Sequence, residues 1–342
     1  MRGALIGFGN VALHGHLPGW LGRRDVEITA VSDARPERRA ERDARLPGAR
    51  WYDSADELLD EADVDFVDIC TPPSSHAPLT GHALRRGRHV LCEKPLVVAL
   101  EELDPLTRLA ATTGRVLHAV HNWHHAPIIR RAQELIQDGA LGPVVRVVWH
   151  TLRTRPAAVA DPGAGNWRVD PTLAGGGVLT DHGWHVVYVL RRWLGEDPTS
   201  VSASLETRRH LGLAVEDTAV VRLGFPTASA EILLTWAADV RANWAELTGE
   251  DGTIELQDDT LVLRRDGETR RWACPPALSD GSTHADWFAP VVSQFVEEIH
   301  GVSHSSNMAE AALCTAVESA ARESSRQGGI VLPIRCRPGT AR

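Results

Sequence analysis

Gly3-Ala4-Leu5-Ile6-Gly7-Phe8-Gly9-Asn10-Val11-Ala12 holds an apolar strand run, a glycine turn and the start of a helix in consecutive residues. In the pattern G-x-G-x-x-A, Gly7 permits the tight turn, Gly9 lets backbone approach a pyrophosphate, and Ala12 keeps helix and strand close. The helix N-terminus adds oriented N–H groups for the anion. Phe8, Asn10 and Val11 complete the turn and join the candidate cofactor contacts. Asp33 falls just after a second run, Val26 to Ser32, where a carboxylate can accept hydrogen bonds from ribose hydroxyls. The cofactor expected is therefore NAD, or NADP: Asp33 would repel a 2′-phosphate, yet Arg35, two residues on, can swing over to neutralise one.

Outward from this motif, short β-branched runs alternate with amphipathic stretches as far as Val120. The six expected strands are Gly3 to Ile6, Val26 to Ser32, Arg50 to Tyr52, Val64 to Cys70, His89 to Cys92 and Val116 to Val120. Ser54-Ala55-Asp56-Glu57 has the form of a capping box. With right-handed crossovers these units give a doubly wound α/β fold of the Rossmann kind over residues 1–120. After Val120 the rhythm changes. A helix is expected over Ile128 to Gln137, ending at Gly139, then a Pro/Gly-rich loop from Pro156 to Gly165 and the triple glycine Gly175-Gly176-Gly177. Alternating runs at Thr199 to Glu206, Thr218 to Leu223, Ala230 to Ala237 and Trp244 to Thr248 predict antiparallel strands. Glu250-Asp251-Gly252 and Arg265-Asp266-Gly267 suit hairpin turns, and Ala309 to Arg326 a closing helix. Residues 121–342 thus form a second, α+β domain with a large, mostly antiparallel open sheet.

The chain has 342 residues, enough for two cores. A net charge of −9 leaves no basic field for a phosphate backbone, which argues against nucleic acid as a partner. No apolar run approaches the roughly 20 residues of a spanning helix, and Met1 leads directly into the glycine motif without a signal sequence; a cytoplasmic location is expected. Five cysteines without a C-x-x-C pair are expected to be buried, reduced thiols.

The chemistry sits in segments expected at the carboxyl edge of the first sheet and after the triple glycine. Thr71-Pro72-Pro73-Ser74-Ser75-His76 leaves the fourth strand, which makes Thr71, Pro72 and His76 candidate cofactor contacts. Cys92-Glu93-Lys94-Pro95 leaves the fifth and would put an ammonium group beside a nicotinamide, with Glu93 next to it. Asp181-His182-Gly183-Trp184-His185 sets a carboxylate and an imidazole at i and i+4, so both can face one pocket. Oxidising an alcohol removes a hydroxyl proton as hydride leaves carbon. His185 suits that step, with Asp181 to orient it. Trp123, Trp167 and Trp184 could stack on the C–H face of a sugar ring or simply pack a core or interface. Arg168 could grip a ligand or form a structural ion pair. The candidate substrate contacts are Lys94, Asn122, Trp123, Trp167, Arg168, Asp181, His182 and His185. His118, His121, His124 and His125 have no acid or thiol interleaved, so no metal is expected.

Taken together, the strand-one fingerprint, Cys92-Glu93-Lys94-Pro95, the stretch from Gly139 to Val148, Trp167-Arg168 before the triple glycine, and Asp181 through His185 resemble the glucose-fructose oxidoreductase, inositol dehydrogenase and rhizopine-catabolism family over nearly the whole chain. The resemblance implies that Lys94, Asp181 and His185 form a catalytic triad. It also implies a sugar, sugar-derivative or cyclitol substrate, hydride transfer at a secondary alcohol or ketone carbon, and a homodimer or homotetramer built through the C-terminal sheet. Two positions depart from the pattern: Trp123 stands where relatives commonly carry Arg, and Tyr188, three after His185, where they commonly carry an acid. A non-catalytic sensor of cofactor and sugar on the same fold is the alternative, and the presence of all three triad residues argues against it.

Overall fold

The computed structural model describes residues 1–158, 165–281, 283–303 and 305–335. Cys336 and most of the Pro156 to Gly165 loop lie outside them. The chain divides into two compact units, one holding Met1–Asn122 together with residues near 283–311, the other Trp123–Ala158, Arg168–Gly281 and the chain from Ala312.

In the first unit the strands are β1 (Arg2–Ile6), β2 (Glu27–Ser32), β3 (Arg50–Tyr52), β4 (Phe66–Ile69), β5 (His89–Cys92) and β6 (Leu117–Ala119). They pair in parallel in the order β3-β2-β1-β4-β5-β6, so the strand order reverses between β1 and β4. Burial on both faces explains the unbroken apolar runs. Ser54 caps the helix Ala55–Glu61 as expected, its hydroxyl accepting the Glu57 N–H at 3.1 Å.

Residues 285–299 correct the division drawn from sequence, which gives everything after 120 to the second domain. The helix Ala285–Ile299 carries one apolar stripe, Trp287, Phe288, Val291, Val292, Phe295 and Val296, and that stripe needs cover. It finds it in the first unit, against Leu13, Leu17, Trp20 and Phe66. Each such fully buried side chain contributes roughly 1.5–3 kcal/mol. Gly19 allows the approach, because a Cβ there would lie 2.9 Å from the Phe288 ring.

The second unit is built on a sheet of β7 (Val144–Leu152), β8 (Ser200–Glu206), β9 (Thr218–Gly224), β10 (Ser229–Thr235), β11 (Ala242–Gly249), β12 (Gly252–Gln257), β13 (Thr260–Arg265), β14 (Glu268–Ala273) and β15 (Leu332–Pro333). Among the described residues the order is β14-β13-β12-β11-β7-β10-β9-β8-β15, antiparallel except where β10 runs parallel to β7. Asp266 and Gly267, at φ 52° and 78°, make the expected tight turn between β13 and β14. Glu250-Asp251 likewise makes the hairpin link between β11 and β12, but Gly252 is not at positive φ and already belongs to β12, where a Cβ would press to 2.8 Å on the Arg264 carbonyl oxygen. That glycine is set by crowding and not by the turn. The final helix begins at Asn307, two residues before the expected start.

Candidate functional site

In the first unit the glycine turn joins β1 to a helix that opens with a π-turn at Ala12–His16 and continues as Leu17–Leu21. Gly7 has φ 87° and donates its N–H to the Ser32 carbonyl at 2.8 Å. A side chain at Gly7 would also strike the Cys70 backbone at 2.9 Å, so glycine is required twice over. Among the described residues, a Cβ on Gly9 would have only the Arg35 guanidinium within 4 Å, at 3.5 Å. Asp33 is buried at the end of β2; its Oδ2 accepts the Phe8 N–H at 2.7 Å and its Oδ1 accepts the Arg35 N–H at 2.9 Å. The Arg35 side chain closes on the same carboxylate, Nε to Oδ1 at 3.0 Å and Nη2 to Oδ2 at 3.1 Å. A positive-φ glycine, a clear approach over Gly9 and a carboxylate at the end of β2 fit a dinucleotide.

Beside this turn lie the ends of β4 and β5, which bring Thr71, Pro72, Glu93 and Lys94 to the same edge. His76 is placed differently from the expectation that it meets the cofactor. It is fully buried, with Nδ1 2.7 Å from the Pro95 carbonyl oxygen and Nε2 2.8 Å from that of Thr71. Both ring nitrogens are engaged in tying the two loops together, and burial holds its pKa below the ordinary histidine value. Lys94 is half-buried, and its backbone N–H donates to Glu93 Oε2 at 3.0 Å.

Glu93 is anchored by a residue that sequence reasoning passed over. His16, delivered by the π-turn, places Nε2 2.8 Å from Glu93 Oε1 and Nδ1 2.9 Å from Asp68 Oδ2, while its ring stacks on Phe288 at 3.7 Å. The Cys70 sulfur lies 3.1 Å from the same Nδ1, and the Trp20 indole donates to Asp68 at 2.7 Å. Burial alone would lower the His16 pKa, but the Asp68 carboxylate outweighs it and holds it well above the ordinary value. For Glu93 burial pushes upward, and the bond and charge of His16 bring it below the usual carboxylate range. Burial pushes the Cys70 thiol up, so it stays protonated.

In the second unit, the helix Trp184–Leu194 also opens with a π-turn, Leu179–Gly183. The triple glycine before it is fixed by close packing as well as by dihedral angle. Gly175 has φ 79°, a Cβ on Gly176 would overlap the Arg322 guanidinium, and one on Gly177 would overlap the Glu216 carbonyl. Arg322 is itself held by Glu216 at 3.1 Å, by Glu318 at 3.0 Å and by the Thr180 hydroxyl at 2.7 Å. Asp181 lies within the π-turn, its Oδ2 3.4 Å from His182 Nε2. His185 is 7% exposed, its Nδ1 lies 2.8 Å from the Tyr188 hydroxyl, and its ring stacks on Trp123 at 4.5 Å and 10°. Trp123 thus forms a wall for the imidazole, packed in turn on Trp149 at 6.0 Å.

Trp184 is 2% exposed and belongs to the core, whereas Trp167 and Arg168 are half-buried in the 3-10 turn Trp167–Val169. Asn122 ends the first stretch of the first unit, with a buried Oδ1 that has no hydrogen-bond partner among the described residues. His118 and His121 have carboxylates that the local sequence could not reveal, Glu298 at 2.9 Å and Glu310 at 3.0 Å. Arg153, also missed, is 4% exposed and gives its Nη1 to the Leu152 and Ala242 carbonyls at 2.8 and 3.0 Å. Its burial brings its pKa down to about 10, against the pull of Asp181 and Asp258. Among the described cysteines, Cys70, Cys92, Cys274 and Cys314 are free thiols. No described helix is long and apolar enough to cross a membrane.

Residues 1–121 match the oxidoreductase family with an NAD-binding Rossmann fold, and residues 129–255 match the GFO/IDH/MocA C-terminal domain. A 1,5-anhydro-D-fructose reductase of Ensifer adhaerens is 35% identical over 44% of this chain and 44% of its own. D-apiose dehydrogenase of Paraburkholderia graminis is 28% identical over 81% of this chain and 74% of its own. The chain spans about half the length of the first curated relatives it matches. Among solved structures, the aldose-aldose oxidoreductase of Caulobacter crescentus complexed with glycerol superposes with a TM-score of 0.82 at 25% identity, covering 97% of this chain and 99% of that one. Levoglucosan dehydrogenase in complex with NADH shares the fold, with a TM-score of 0.84 at 23% identity over 98% and 99% of the two chains. Both halves of the sequence therefore lead to the same place, and the chain belongs to the Gfo/Idh/MocA oxidoreductase family with its NAD-binding Rossmann fold.

Proposed function

We propose that this protein oxidises or reduces a secondary alcohol or ketone carbon of a sugar, sugar derivative or cyclitol with NAD(H). The observation that carries the reading is the shared edge of β2, β1, β4 and β5, where Asp33, the Gly7–Gly9 cradle and Lys94 stand on neighbouring strand ends. Bound NAD(H) supplies the acceptor or donor of hydride. Gly7, Phe8, Gly9, Asn10 and Val11 hold its pyrophosphate, Asp33 and Arg35 its ribose, and Thr71, Pro72 and Glu93 border its nicotinamide end. Lys94, Asp181 and His185 act on the substrate oxygen, taking its proton in oxidation and returning it in reduction. Asn122, Trp167, Arg168 and His182 are proposed to contact the substrate hydroxyls. The names of the relatives, reductases and dehydrogenases of anhydrosugars and pentoses, support a carbohydrate ligand.

The sheet of the second unit supports self-association. Val220, Leu233, His150 and Trp244 are cross-strand neighbours on β9, β10, β7 and β11, so they form one half-exposed row on one face. A second copy of the chain is the proposed cover, as a homodimer or homotetramer.

The test supplies NAD(H) or NADP(H) with a panel of aldoses, ketosugars, anhydrosugars and inositols and follows absorbance of the reduced cofactor. Turnover on at least one class is expected. Tight cofactor binding without turnover on any would overturn the reading in favour of a sensor.

A further inference from the structure

Tyr188 touches the imidazole proposed to handle the substrate oxygen. An acid there could accept an N–H from His185 Nδ1 and leave Nε2 bare, ready to take a proton. A phenol is different, because it can also give one.

The Tyr188 oxygen already accepts the backbone N–H of Trp123 at 3.0 Å. One phenol lone pair is delocalised into the ring, which leaves a single strong acceptor direction, and Trp123 uses it. The second contact, 2.8 Å to His185 Nδ1, is then best made through the hydroxyl hydrogen. Tyr188 is fully buried and His185 nearly so, and Trp123 stacks on the imidazole at 4.5 Å and 10°, so neither ring has room to turn away. A hydrogen bond at this depth is costly to leave unmade.

We infer that Tyr188 is a positioning residue that donates its hydroxyl proton to His185 Nδ1, fixing the neutral imidazole as the Nε2–H form. This deepens the hydride-transfer reading and its chemistry rests on it. A neutral His185 so held presents a hydrogen-bond donor to the substrate oxygen and cannot also accept a proton at Nε2. The proton gained in reduction or lost in oxidation is then carried by another group.

The test is a tautomer measurement that needs no turnover. Full-length protein labelled with 15N-histidine is examined by NMR, cofactor-free, at mildly alkaline pH, with the His185 signals identified by their loss in His185→Gln. The expected wild-type spectrum shows the proton on Nε2 and an Nδ1 resonance shifted upfield of a bare imine nitrogen, as a hydrogen-bond acceptor should be. Tyr188→Phe keeps the ring and should move that Nδ1 resonance downfield. A proton on Nδ1 in the wild type overturns the inference, as does an Nδ1 that already resonates at the bare position. An Nδ1 that does not move in Tyr188→Phe also overturns it. Should the variant not fold, the two wild-type observations decide. Failure of the substrate panel would sink the hydride-transfer reading and leave the tautomer result standing, so the two failures are distinguishable.

Discussion

His16 Nε2 lies 2.8 Å from Glu93 Oε1, so the residue preceding Lys94 is gripped by an imidazole whose other nitrogen rests on Asp68. His16 has a raised pKa in the folded chain. Its contribution to stability is therefore complete below the ordinary histidine value of about 6.5 and is lost as pH rises through the folded value. Glu93 is lowered, so its contribution is present above the ordinary carboxylate range and is lost as pH falls through its folded value. His16→Gln should cost about 3–5 kcal/mol near pH 6, as expected for removing one partner of a buried pair, and the gap from wild type should narrow as pH rises. Thermal melts over a pH series read this directly. Parallel curves for the two proteins would contradict it.

The Asp33 carboxylate is shared between the glycine turn and Arg35. Asp33→Ser should release Arg35 from this carboxylate and remove the repulsion against a 2′-phosphate. A charged hydrogen bond is worth about 1.5–3 kcal/mol, so the ratio of KM for NADPH to KM for NADH should fall by at least about tenfold. Steady-state kinetics with both cofactors check this; an unchanged ratio would locate the preference elsewhere.

Lys94→Ala and His185→Ala should each lower kcat by roughly 100-fold to 10,000-fold. Fluorescence titration should find NADH affinity within a few-fold of wild type in His185→Ala. Near-normal kcat in either variant would remove that residue from the proposed chemistry.

Much of this arrangement was legible beforehand because the signals are local. The six strands of the first sheet, the Gly7 turn and the Asp33 position follow from runs and turns of a few residues, and the same holds for Asp266-Gly267. What was missed depends on partners far along the chain. His16 looks like any helix residue until Asp68 and Glu93 close on it, 52 and 77 residues away. The helix Ala285–Ile299 has a clear apolar stripe, but nothing in the stripe says which core it will cover. His76 was misplaced for the same reason: the Thr71 and Pro95 carbonyls that occupy its ring are brought there by the fold. Gly252 is a mixed case: the chain turns at Glu250-Asp251 as the local sequence suggests, while the glycine itself answers to crowding against β13.

Gly176 offers a sharper test of such crowding. A methyl group there would enter the Arg322 guanidinium, which carries two carboxylates and the Thr180 hydroxyl. Gly176→Ala should therefore destabilise by about 1–3 kcal/mol, combining overpacking with disturbance of a partly buried ion-pair cluster. Gly195→Ala, at φ 70° with no described neighbour within 4 Å of the added carbon, carries the cost of positive φ alone, whereas Gly176 is not at positive φ and carries the crowding alone. Urea unfolding of both variants decides it, and a Gly176→Ala loss no larger than that of Gly195→Ala would refute the role given to Arg322.

Leu233→Asp places a charge in the middle of the row from Val220 to Trp244. Light scattering should show a lower mass than wild type with NADH affinity retained. An unchanged mass would move the proposed interface to another surface.

The widened first turns at Ala12–His16 and Leu179–Gly183 make residue count, and not only residue type, a determinant of these helices. Each such turn holds one residue more than an α-helix would, and every later side chain is swung by about 100° relative to a helix without it. Deleting a single codon within 179–183 would let the segment relax to ordinary helix while sending His185 and Tyr188 to a different face. Here a gap in an alignment is more damaging than a mismatch.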